Sequence, residues 1–534
     1  MKHLKKIMIH LGAIFGAATL ITVPIVACSK SAFNKFVNEL RKHPEYQGVE
    51  LNFASINNVP EYTIHNHVKE IGDQLKSVYS TSNQIRQISQ YANTNIKIEE
   101  KNGHTFIPAA DVDSSQGTNY DAIWVRDSIW GYYALAAQHR TDDAKKVLLS
   151  LLDYFTSQKE RIDADIQNPE LLNDPKNGQM NAVHIRFDGD SPTFADVQEN
   201  GKAQPWNHKQ NDALGLFLDC LLTSVKTGAI VQADLNVTRM NSIVGLIEYL
   251  YKIEFWQMED SGAWEEAQRL NTSSVGIVTS AIENFLDTST PALPGWFIDS
   301  FNAQATALGY SDVDVTNRNN TLTEMKNNGY DLIHEQISLG GESPNYATND
   351  KRYRTADAAL LNLIFPAKLS GLSIAEKETI YDIVSTLNTE WGVKRYNDDN
   401  YQSGNFWFNQ IKTDTDDSSI DKREKDFIKG SEASWFFDSW MAYDAIALAN
   451  LDGTKKDYYL ASATMHFNKS LAFITGDGLH GDGTACEAGN LVESYNAIVD
   501  GKFWWRVPSP IDPLNWAKGL FFLMVEQLTS YYDS

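Results

Sequence analysis

Cysteine is scarce in this sequence, with Cys28, Cys220 and Cys486 the three in 534 residues. A disulfide framework is therefore excluded, and the fold must be held together by burial of a large apolar core. Cys220 and Cys486 could form a single bridge, but we expect two free, buried thiols.

Positively charged residues are also fewer than negatively charged ones. The chain has 46 Lys and Arg residues against 69 Asp and Glu residues, which gives a formal net charge of −23 at pH 7. Nucleic acids and anionic lipid surfaces repel a chain with such a charge. The charge balance therefore argues against both as partners.

Long apolar runs are confined to the N-terminus. Three lysines precede a nearly continuous apolar stretch from Ile7 to Val26, which ends in Ile25-Val26-Ala27-Cys28. This arrangement is typical of a lipoprotein signal peptide that is cleaved before Cys28, which then carries the lipid. An uncleaved membrane anchor is the alternative. Both interpretations place the bulk of the chain at the extracellular face of the cytoplasmic membrane.

The expected organisation has three parts. Residues 1–27 form the lipoprotein signal peptide, residues 28–58 the lipidated cysteine and a tether, and residues 59–534 a single catalytic domain. No break in composition divides the third part. We expect this domain to be monomeric.

Alternating strand patterns are few, and helical spacing of apolar residues predominates. Ser373-Ile374-Ala375-Glu376 has the pattern of a capping box, which predicts the start of a helix. The sequence therefore predicts an all-α domain. Helices are expected at 63–92, 126–139, 142–157, 209–225, 235–254, 272–286, 318–329, 356–366, 373–389, 431–449, 455–474 and 514–531.

Acidic groups in aromatic surroundings mark the candidate site. Trp264-Glu265-Glu266 places two carboxylates behind a tryptophan, and Glu493 lies far downstream. Cleavage of a glycosidic bond needs a protonated carboxyl group to donate to the leaving oxygen and an ionised carboxylate to activate water. Aromatic rings in addition suit the apolar faces of pyranose sugars.

Further motifs lie in the long loops between the predicted helices, where function is commonly carried. They are Trp124-Val125-Arg126-Asp127-Ser128, Trp206-Asn207-His208-Lys209-Gln210-Asn211-Asp212, the run from Arg395-Tyr396 through Tyr401 to Gly404-Asn405-Phe406-Trp407, and Pro513-Leu514-Asn515-Trp516. In this order the motifs resemble those of glycoside hydrolase family 15, the glucoamylase family. The resemblance covers most of residues 100–530.

The resemblance implies an (α/α)6 toroid, with six inner and six outer helices and a pocket at one end. It implies that Glu265 is the general acid and Glu493 the general base. The two should lie ~6.5–9.5 Å apart with room for a water, which is the inverting geometry. Glu266 is expected to raise the pKa of Glu265 through its charge and to contact the sugar.

Other residues match family positions that bind the substrate. Arg126 and Asp127 match a clamp on the terminal, non-reducing glucose, and Arg395 matches a second arginine that contacts the substrate. The tryptophans expected to line the pocket are Trp124, Trp206, Trp264, Trp407 and Trp516.

Alternatives stay open for several of these residues. Arg126 and Asp127 could form an ion pair within their loop, and Asp212 could cap the following helix instead of contacting sugar. Glu342 and Glu487 compete with Glu493 for the role of base.

The sequence also departs from the family pattern. Asn271-Thr272-Ser273-Ser274 arrives two residues later than the family's Asn-x-Ser-Ser, and the stretch before Trp516 is longer and contains Phe503-Trp504-Trp505-Arg506. Both departures border the expected pocket mouth. The resemblance therefore predicts the reaction better than the substrate.

We expect an exo-acting, inverting glycoside hydrolase that releases β-glucose from the non-reducing ends of α-glucosides such as malto-oligosaccharides. A trehalase or an α-1,6-glucosidase on the same fold, and a non-catalytic glycan-binding lipoprotein, are the alternatives. No residues have metal-ligand spacing and the chemistry needs no cofactor, so neither is expected. The expected partners are an oligosaccharide and, through the lipid on Cys28, the membrane.

Overall fold

The computed structural model describes residues 22–111, 120–409 and 423–534. It contains two compact units, one that ends at Pro44 and one that spans Glu45–Ser534. In the first, helix α1 (Thr22–Lys42) includes Cys28. Residues 1–21 of the predicted signal peptide lie outside the described part of the chain. Within that part, no helix combines the length and apolar character that crossing a bilayer requires.

The second unit begins at Glu45 rather than at the expected residue 59. It is built mainly from α-helices. These are α2 (Lys69–Gly72), α3 (Ser82–Ser89), α4 (Val125–Ala137), α5 (Thr141–Ser157), α6 (Lys159–Gln167), α7 (Gly178–Asn181), α8 (Asn211–Lys226), α9 (Val237–Lys252), α10 (Thr272–Leu286), α11 (Gly295–Leu308), α12 (Arg318–Leu339), α13 (Ile374–Ser385), α14 (Asp438–Leu451), α15 (Lys456–Ala472) and α16 (Asn515–Asp533). Shorter 3-10 helices occupy Pro44–Gln47, Pro169–Asn173, Gln232–Asp234 and Ala358–Leu363.

The strands are short and pair antiparallel. They are β1 (Val49–Phe53), β2 (Tyr62–Asn66), β3 (Glu99–Lys101), β4 (His104–Phe106), β5 (Ile123–Trp124), β6 (Arg186–Phe187), β7 (Gln198–Glu199), β8 (Lys202–Ala203), β9 (Ser434–Trp435), β10 (Gly478–Leu479), β11 (Ala485–Cys486), β12 (Ser494–Asp500) and β13 (Phe503–Pro508). The longest pair, β12 with β13, joins β9 in a three-stranded sheet. Tyr495 of β12 lies opposite Pro508 on one side and Ser434 on the other.

Six elements form an inner ring that closes on itself. In chain order they are α4, α8, α10, the 3-10 helix Ala358–Leu363, α14 and α16; each packs against the next, and α16 packs against α4. Between them along the chain come outer helices. Helix α3 packs on α16, α5 on α4, α9 beside α5, α12 on α10, α13 on the 3-10 helix and α15 on α14. This alternation of inner and outer elements is the (α/α)6 toroid that the resemblance implies.

Burial distinguishes inner from outer helices. Every residue from Thr272 to Ile282 in α10 is buried, whereas α12 buries a narrow stripe that includes Leu322, Met325 and Ile333. A helix that is buried all round belongs between other elements, and one with a single apolar stripe belongs at the surface. The two layers thus follow from the sequence pattern.

Most predicted helices are confirmed within a few residues, and the capping box is present as expected. Ser373 Oγ accepts from the Glu376 backbone N–H, and the Glu376 carboxylate accepts from the Ser373 N–H. Cys220 and Cys486 are free and buried, also as expected.

Some helix predictions were wrong. The helix expected at 63–92 is replaced by β2 and the short helices α2 and α3, because residues 62–66 pair with β1. Helices α6 and α11 lie where no helix was predicted. Helix α12 continues to Leu339, well beyond the expected end at residue 329.

The contact of Gly215 in α8 with Ile277 and Val278 in α10 allows the packing of these two helices to be tested. A Cβ on Gly215 would lie 2.8 Å from the Val278 N and 2.9 Å from the Ile277 carbonyl carbon. We expect Gly215→Ala to lower the free energy of unfolding by about 1–3 kcal/mol through overpacking, measured by urea denaturation. Gly295→Ala is the matched control because open space surrounds Gly295, and it should stay within about 0.5 kcal/mol of the parent. Equal stability of the two variants would contradict this packing.

Candidate active site

The candidate pocket lies where the loops before the inner helices converge. Trp124 immediately precedes α4, Gln210 precedes α8, Trp264 and Glu265 lie shortly before α10, and Trp516 lies in the first turn of α16. Inner helices separated by outer ones run in the same direction, so these loops meet at one end of the ring. The pocket is lined by Ala109, Tyr120, Trp124, Arg126, Asp127, Trp206, Ala263, Trp264, Glu265, Arg395, Tyr401, Arg423, Trp435, Phe436, Phe437, Glu493, Leu514 and Trp516.

Glu265 is held by a bend in the backbone. Its φ is +59°, a left-handed conformation that non-glycine residues rarely adopt and that commonly marks functional sites. Asn207 Nδ2 donates to its carbonyl oxygen at 2.9 Å. Burial raises the pKa of the Glu265 carboxyl and the charge of Asp212 adds to this, while Arg126 and Arg186 oppose it.

Glu493 lies immediately before β12 with its carboxylate buried among neutral donors. The Tyr120 hydroxyl donates to Oε1 at 2.8 Å, and Gln402 Nε2 donates to Oε2. Burial raises the pKa of Glu493 to about 7, opposed by the hydrogen bonds from Tyr120 and Gln402 and by the charge of Arg395. The hydrogen bonds also fix the direction in which the carboxylate faces the pocket.

The two carboxyl groups differ in their neighbours. Arg126 Nη1 approaches Glu265 Oε1 at 3.4 Å, whereas the groups bonded to the Glu493 carboxylate are neutral. A nearby cation favours the ionised carboxylate. Arg126 therefore favours the ionised form of Glu265, whereas neither group bonded to the Glu493 carboxylate carries a charge.

Arg126 is positioned by a buried ion pair with α8. Its Nε donates to Asp212 Oδ2 at 2.6 Å and its Nη2 to Oδ1 at 3.2 Å, with Gln210 as a further acceptor. Asp212 is fully buried and lies outside the pocket lining. Asp212 thus serves neither of the roles considered from the sequence; it orients the arginine.

Asp127 faces the pocket. Arg126 forms ion pairs with Asp212 and Glu265, and the loop ion pair considered as an alternative for Arg126 and Asp127 does not form. Burial raises the pKa of Asp127 to about 7, with the charge of Arg126 opposing the rise and that of Glu265 adding to it. Its carboxyl group is available to a ligand because no other described side chain hydrogen-bonds to it.

Glu266 faces away from Glu265. Its carboxylate accepts from Arg395 Nη2 at 2.9 Å and from the Tyr396 hydroxyl at 2.6 Å. Burial opposes its ionisation, but Arg395 and Arg354 outweigh burial and hold its pKa at about 2. The expectation that Glu266 raises the pKa of Glu265 is corrected, since Asp212 is the negative neighbour that does so.

Arg395 is shared between two carboxylates. Besides Glu266 it bonds Asp399, at 2.7 Å through Nε and 2.6 Å through Nη2. The guanidinium also lies within 5.4 Å of the Trp264 ring centre and within 4.9 Å of that of Tyr401. Arg395 thereby contributes positive charge to one wall of the pocket.

The pocket aromatics are held in fixed orientations. The Trp264 indole N–H donates to Asp357 Oδ1 at 2.7 Å, and its ring stacks on Trp516 with centres 6.3 Å apart. The Arg186 guanidinium lies over both Trp124, at 4.5 Å, and Trp206, at 3.9 Å. Rings held in this way present flat apolar surfaces to a ligand.

Trp407 lies outside the pocket lining. Its indole N–H donates to Asn496 Oδ1 at 2.9 Å, and its ring contacts Gly481. The structure therefore places this residue beside Asn496 of β12 and not at the expected pocket surface.

The two other candidates for the general base, Glu342 and Glu487, lie outside the pocket lining. Glu342 is buried and accepts from the Ser273 N–H at 3.0 Å, close to the start of α10. Glu487 is exposed. Neither lines the pocket, so Glu493 is the one of the three that shares it with Glu265.

Four residues that hydrogen-bond to these groups were not predicted from the sequence. Tyr120 and Gln402 hold Glu493, Gln210 helps hold Arg126, and Asp357 holds the Trp264 indole. Gln210 and Gln402 lie within two of the sequence motifs, so the motifs indicated the segments to which these two residues belong. Tyr120 and Asp357 are brought in by tertiary packing from other segments.

Two side-chain clusters outside the pocket lining offer possible metal ligands. They consist of His184, Asp196 and His208, and of His480, Cys486 and Asp512, with ligand atoms within 4.8 Å of one another. In the first, the His184 ring nitrogens contact Asp196 at 2.6 Å and the Met180 carbonyl at 3.0 Å. In the second, His480 Nε2 contacts Asp512 at 2.9 Å. Hydrogen bonding thus accounts for His184 and His480.

The raised pKa of Glu493 predicts how stability depends on pH. Its folded pKa of about 7 exceeds the unfolded value of about 4.3, so the stability it contributes is present below pH ~4 and lost as pH rises through 7. Glu493→Gln removes this loss. We expect the variant to gain about 2–4 kcal/mol relative to the parent between pH 5 and 8.5, measured by urea denaturation. Glu487→Gln, at an exposed site, should follow the parent; parallel curves for all three proteins would contradict the prediction.

Comparison with known proteins gives matches to a protein-family model, to relatives in sequence and to solved structures. A model of glycosyl hydrolases family 15 matches residues 84–285. The chain is 40% identical over 269 residues to the uncharacterized lipoprotein YgeQ of Escherichia coli K12, an alignment that covers 49% of this chain and 100% of YgeQ. It is 44% identical over 70 residues to the putative protein YgeP of the same strain, over 13% of this chain and 71% of YgeP.

Among solved structures, the chain is similar to a glucoamylase from Saccharomycopsis fibuligera, with 14% identity and a TM-score of 0.49 over 85% of this chain and 95% of that one. It is also similar to a wild-type glycosidase, with 14% identity and a TM-score of 0.48 over 86% and 98% of the two chains. The chain therefore belongs to the same family as YgeQ.

Proposed function

We propose that this protein is an exo-acting, inverting glycoside hydrolase that releases β-glucose from the non-reducing ends of α-glucosides such as malto-oligosaccharides. The observation that carries the proposal is the pairing of Glu265 and Glu493, two buried carboxyl groups that line one aromatic pocket. Inverting hydrolysis needs two such groups on opposite faces of the scissile bond.

In this proposal Glu265 protonates the leaving oxygen and Glu493 accepts a proton from the attacking water. Burial raises the pKa of both groups, and Arg126 opposes this rise at Glu265, so substrate binding must favour the protonated form of Glu265 and the ionised form of Glu493. A bound saccharide excludes water from Glu265, which disfavours its charged form, and its glycosidic oxygen accepts the Glu265 proton as a hydrogen bond. A water held between the sugar and Glu493 donates to the ionised carboxylate and stabilises that form.

The exo mode of attack is supported by Arg126 and Asp127. The Arg126 guanidinium is fixed by Asp212, and the Asp127 carboxyl faces the pocket from the first turn of α4. An arginine donates to sugar oxygens and an aspartate accepts from sugar hydroxyls. Such a clamp on the terminal glucose would limit cleavage to chain ends.

The roles of the two carboxylates are separable by choice of leaving group. Glu265→Gln should lose about 10²–10⁴-fold in kcat on maltose, because leaving-group protonation is lost. It should remain within about 10-fold of the parent on α-glucosyl fluoride, because fluoride leaves without a proton. Glu493→Gln should lose activity on both substrates, since both reactions need an activated water.

Initial-rate assays on the two substrates test this assignment, with Glu487→Gln as an exposed control that should retain full activity. Loss of the fluoride activity in Glu265→Gln, or its retention in Glu493→Gln, would reverse or remove the assigned roles. Proton NMR of the first product from maltose, isomaltose, trehalose and maltotriose reports linkage and anomer together. Initial α-glucose would contradict inversion.

We also propose that the chain is anchored by lipid on Cys28 at the extracellular face of the cytoplasmic membrane. The lipoprotein name of YgeQ and the pattern of residues 1–28 support this. In cells fed an alkyne-labelled fatty acid, the parent protein should carry the label and fractionate with membranes. Cys28→Ser should lose the label, and the matched control Cys220→Ser should keep it. Labelling that survives Cys28→Ser would contradict the anchor.

A further inference from the structure

A second cavity adjoins the candidate pocket. It measures about 560 Å³, and we call it the arginine cavity because Arg269, Arg354 and Arg423 line it. Arg423 also lines the candidate pocket, and Glu266 forms part of the cavity wall. Arg423 therefore forms part of the wall of both.

The three arginines differ in the number of hydrogen-bond partners that they have. Arg354 donates to Asp357 at 3.0 Å and lies 3.3 Å from the Tyr396 ring centre. Arg269 and Arg423 are 3% and 2% exposed, and within residues 22–111, 120–409 and 423–534 their guanidinium groups make no hydrogen bond or ion pair. The Arg423 guanidinium lies 5.1 Å from the centre of the Tyr401 ring.

Among the described residues, acidic side chains of the cavity do not hydrogen-bond to these two arginines, although the charge of Glu266 acts on both. The Glu266 carboxylate is taken by Arg395 and Tyr396, and Asp350 is bonded to Arg352 at 2.8 Å. Asp398 is exposed at the rim. Buried N–H donors without an acceptor are unfavourable, and Arg269 Nε and Arg423 Nε and Nη2 have none among the described residues. Two such guanidinium groups lining one cavity point to a ligand that supplies the acceptors.

The position of Arg269 connects the cavity to a departure in the sequence. Arg269 lies between Trp264-Glu265-Glu266 and Asn271, in the stretch that is two residues longer than in the glucoamylase family. Its backbone is pinned to Asp260 by paired N–H to carbonyl bonds of 2.9 Å each. The extra residues thus deliver a cation to the wall of the cavity, which is a property of this chain.

We propose that the arginine cavity binds an oxyanion carried by the saccharide substrate, so that the natural substrate is an acidic oligosaccharide with a phosphate, sulfate or uronate group beyond the scissile bond. The proposal rests on the proposed function. Guanidinium groups recognise these oxyanions through paired N–H donors, and Arg269 and Arg423 have theirs uncommitted. The rings of Tyr353 and Phe427 in the same cavity offer apolar surfaces to the attached sugar.

Binding is tested without turnover. In calorimetric titrations of Glu265→Gln protein at low salt, inorganic phosphate, sulfate and glucuronate serve as separate probes. We expect at least one to bind, and Arg269→Met to weaken that binding by about 10–100-fold, as expected for loss of a charged hydrogen-bond partner. Arg352→Met is the matched control because Arg352 lies next to the cavity but is paired with Asp350 and Glu259; it should bind as the parent does.

Specificity is tested by kcat/KM on maltotriose and on its phosphorylated, sulfated and uronate-terminated counterparts. The ratio of acidic to neutral substrate should exceed 1 in the parent and fall by about 10-fold or more in Arg269→Met. If Arg269→Met fails to fold, Arg269→Lys takes its place, since it keeps the charge but loses the paired donors and should lower the same ratio. The probe that binds identifies which oxyanion the cavity accepts.

Failure of the arginine cavity proposal and failure of the proposed function would give different results. Turnover of maltotriose with no anion binding and no preference for acidic substrates would overturn the arginine cavity proposal and leave the proposed function standing. Anion binding that depends on Arg269, with no turnover of any glycoside, would overturn the proposed function and leave an anion site. Equal weakening by Arg269→Met and Arg352→Met would reduce the effect to general charge and overturn the site.

Discussion

The buried ion pair between Arg126 and Asp212 is the interaction on which the candidate site depends. It joins the first turn of α4 to the first turn of α8, and the same guanidinium reaches Gln210, the Gly262 carbonyl and Glu265. Removal of one member of such a buried pair leaves an uncompensated charge, which typically destabilises a protein by about 3–5 kcal/mol. The position of Glu265 and the stability of the ring are therefore linked through one arginine.

Around this pair, similar carboxyl groups acquire different properties from their surroundings. Burial dominates at Glu493 and Asp127, whose pKa values rise to about 7. At Glu266 the surrounding arginines dominate, and the pKa falls to about 2. Glu265 lies between these extremes because guanidinium groups oppose its burial. The site thus contains both proton-holding and permanently charged carboxyl groups within one small region.

Much of this arrangement could be predicted from residue patterns. Helical spacing indicated the α-helices of both layers, and Ser373 with Glu376 marked a helix start that is present. The tryptophan and carboxylate motifs identified Glu265, Glu493, Arg126 and Asp127, which all line the pocket. The helix predictions succeeded because they concern local patterns, in which side-chain spacing along the chain is enough to define the feature.

What the sequence by itself determined is the all-α layering and the identity of the residues that the chain brings to one end of the ring. Tertiary structure alone decided how adjacent residues are used. The backbone bend at Glu265, with φ of +59°, allows Glu265 to face the pocket while Arg395 and Tyr396 draw Glu266 away from it. It likewise decided that Trp407 lies outside the pocket lining, that Tyr120 supports Glu493, and that the buried Arg269 Nε has no hydrogen-bond acceptor among the described residues. The physical reason is that hydrogen-bond partners and burial come from segments far apart in the chain, and these set both the direction and the charge of each side chain.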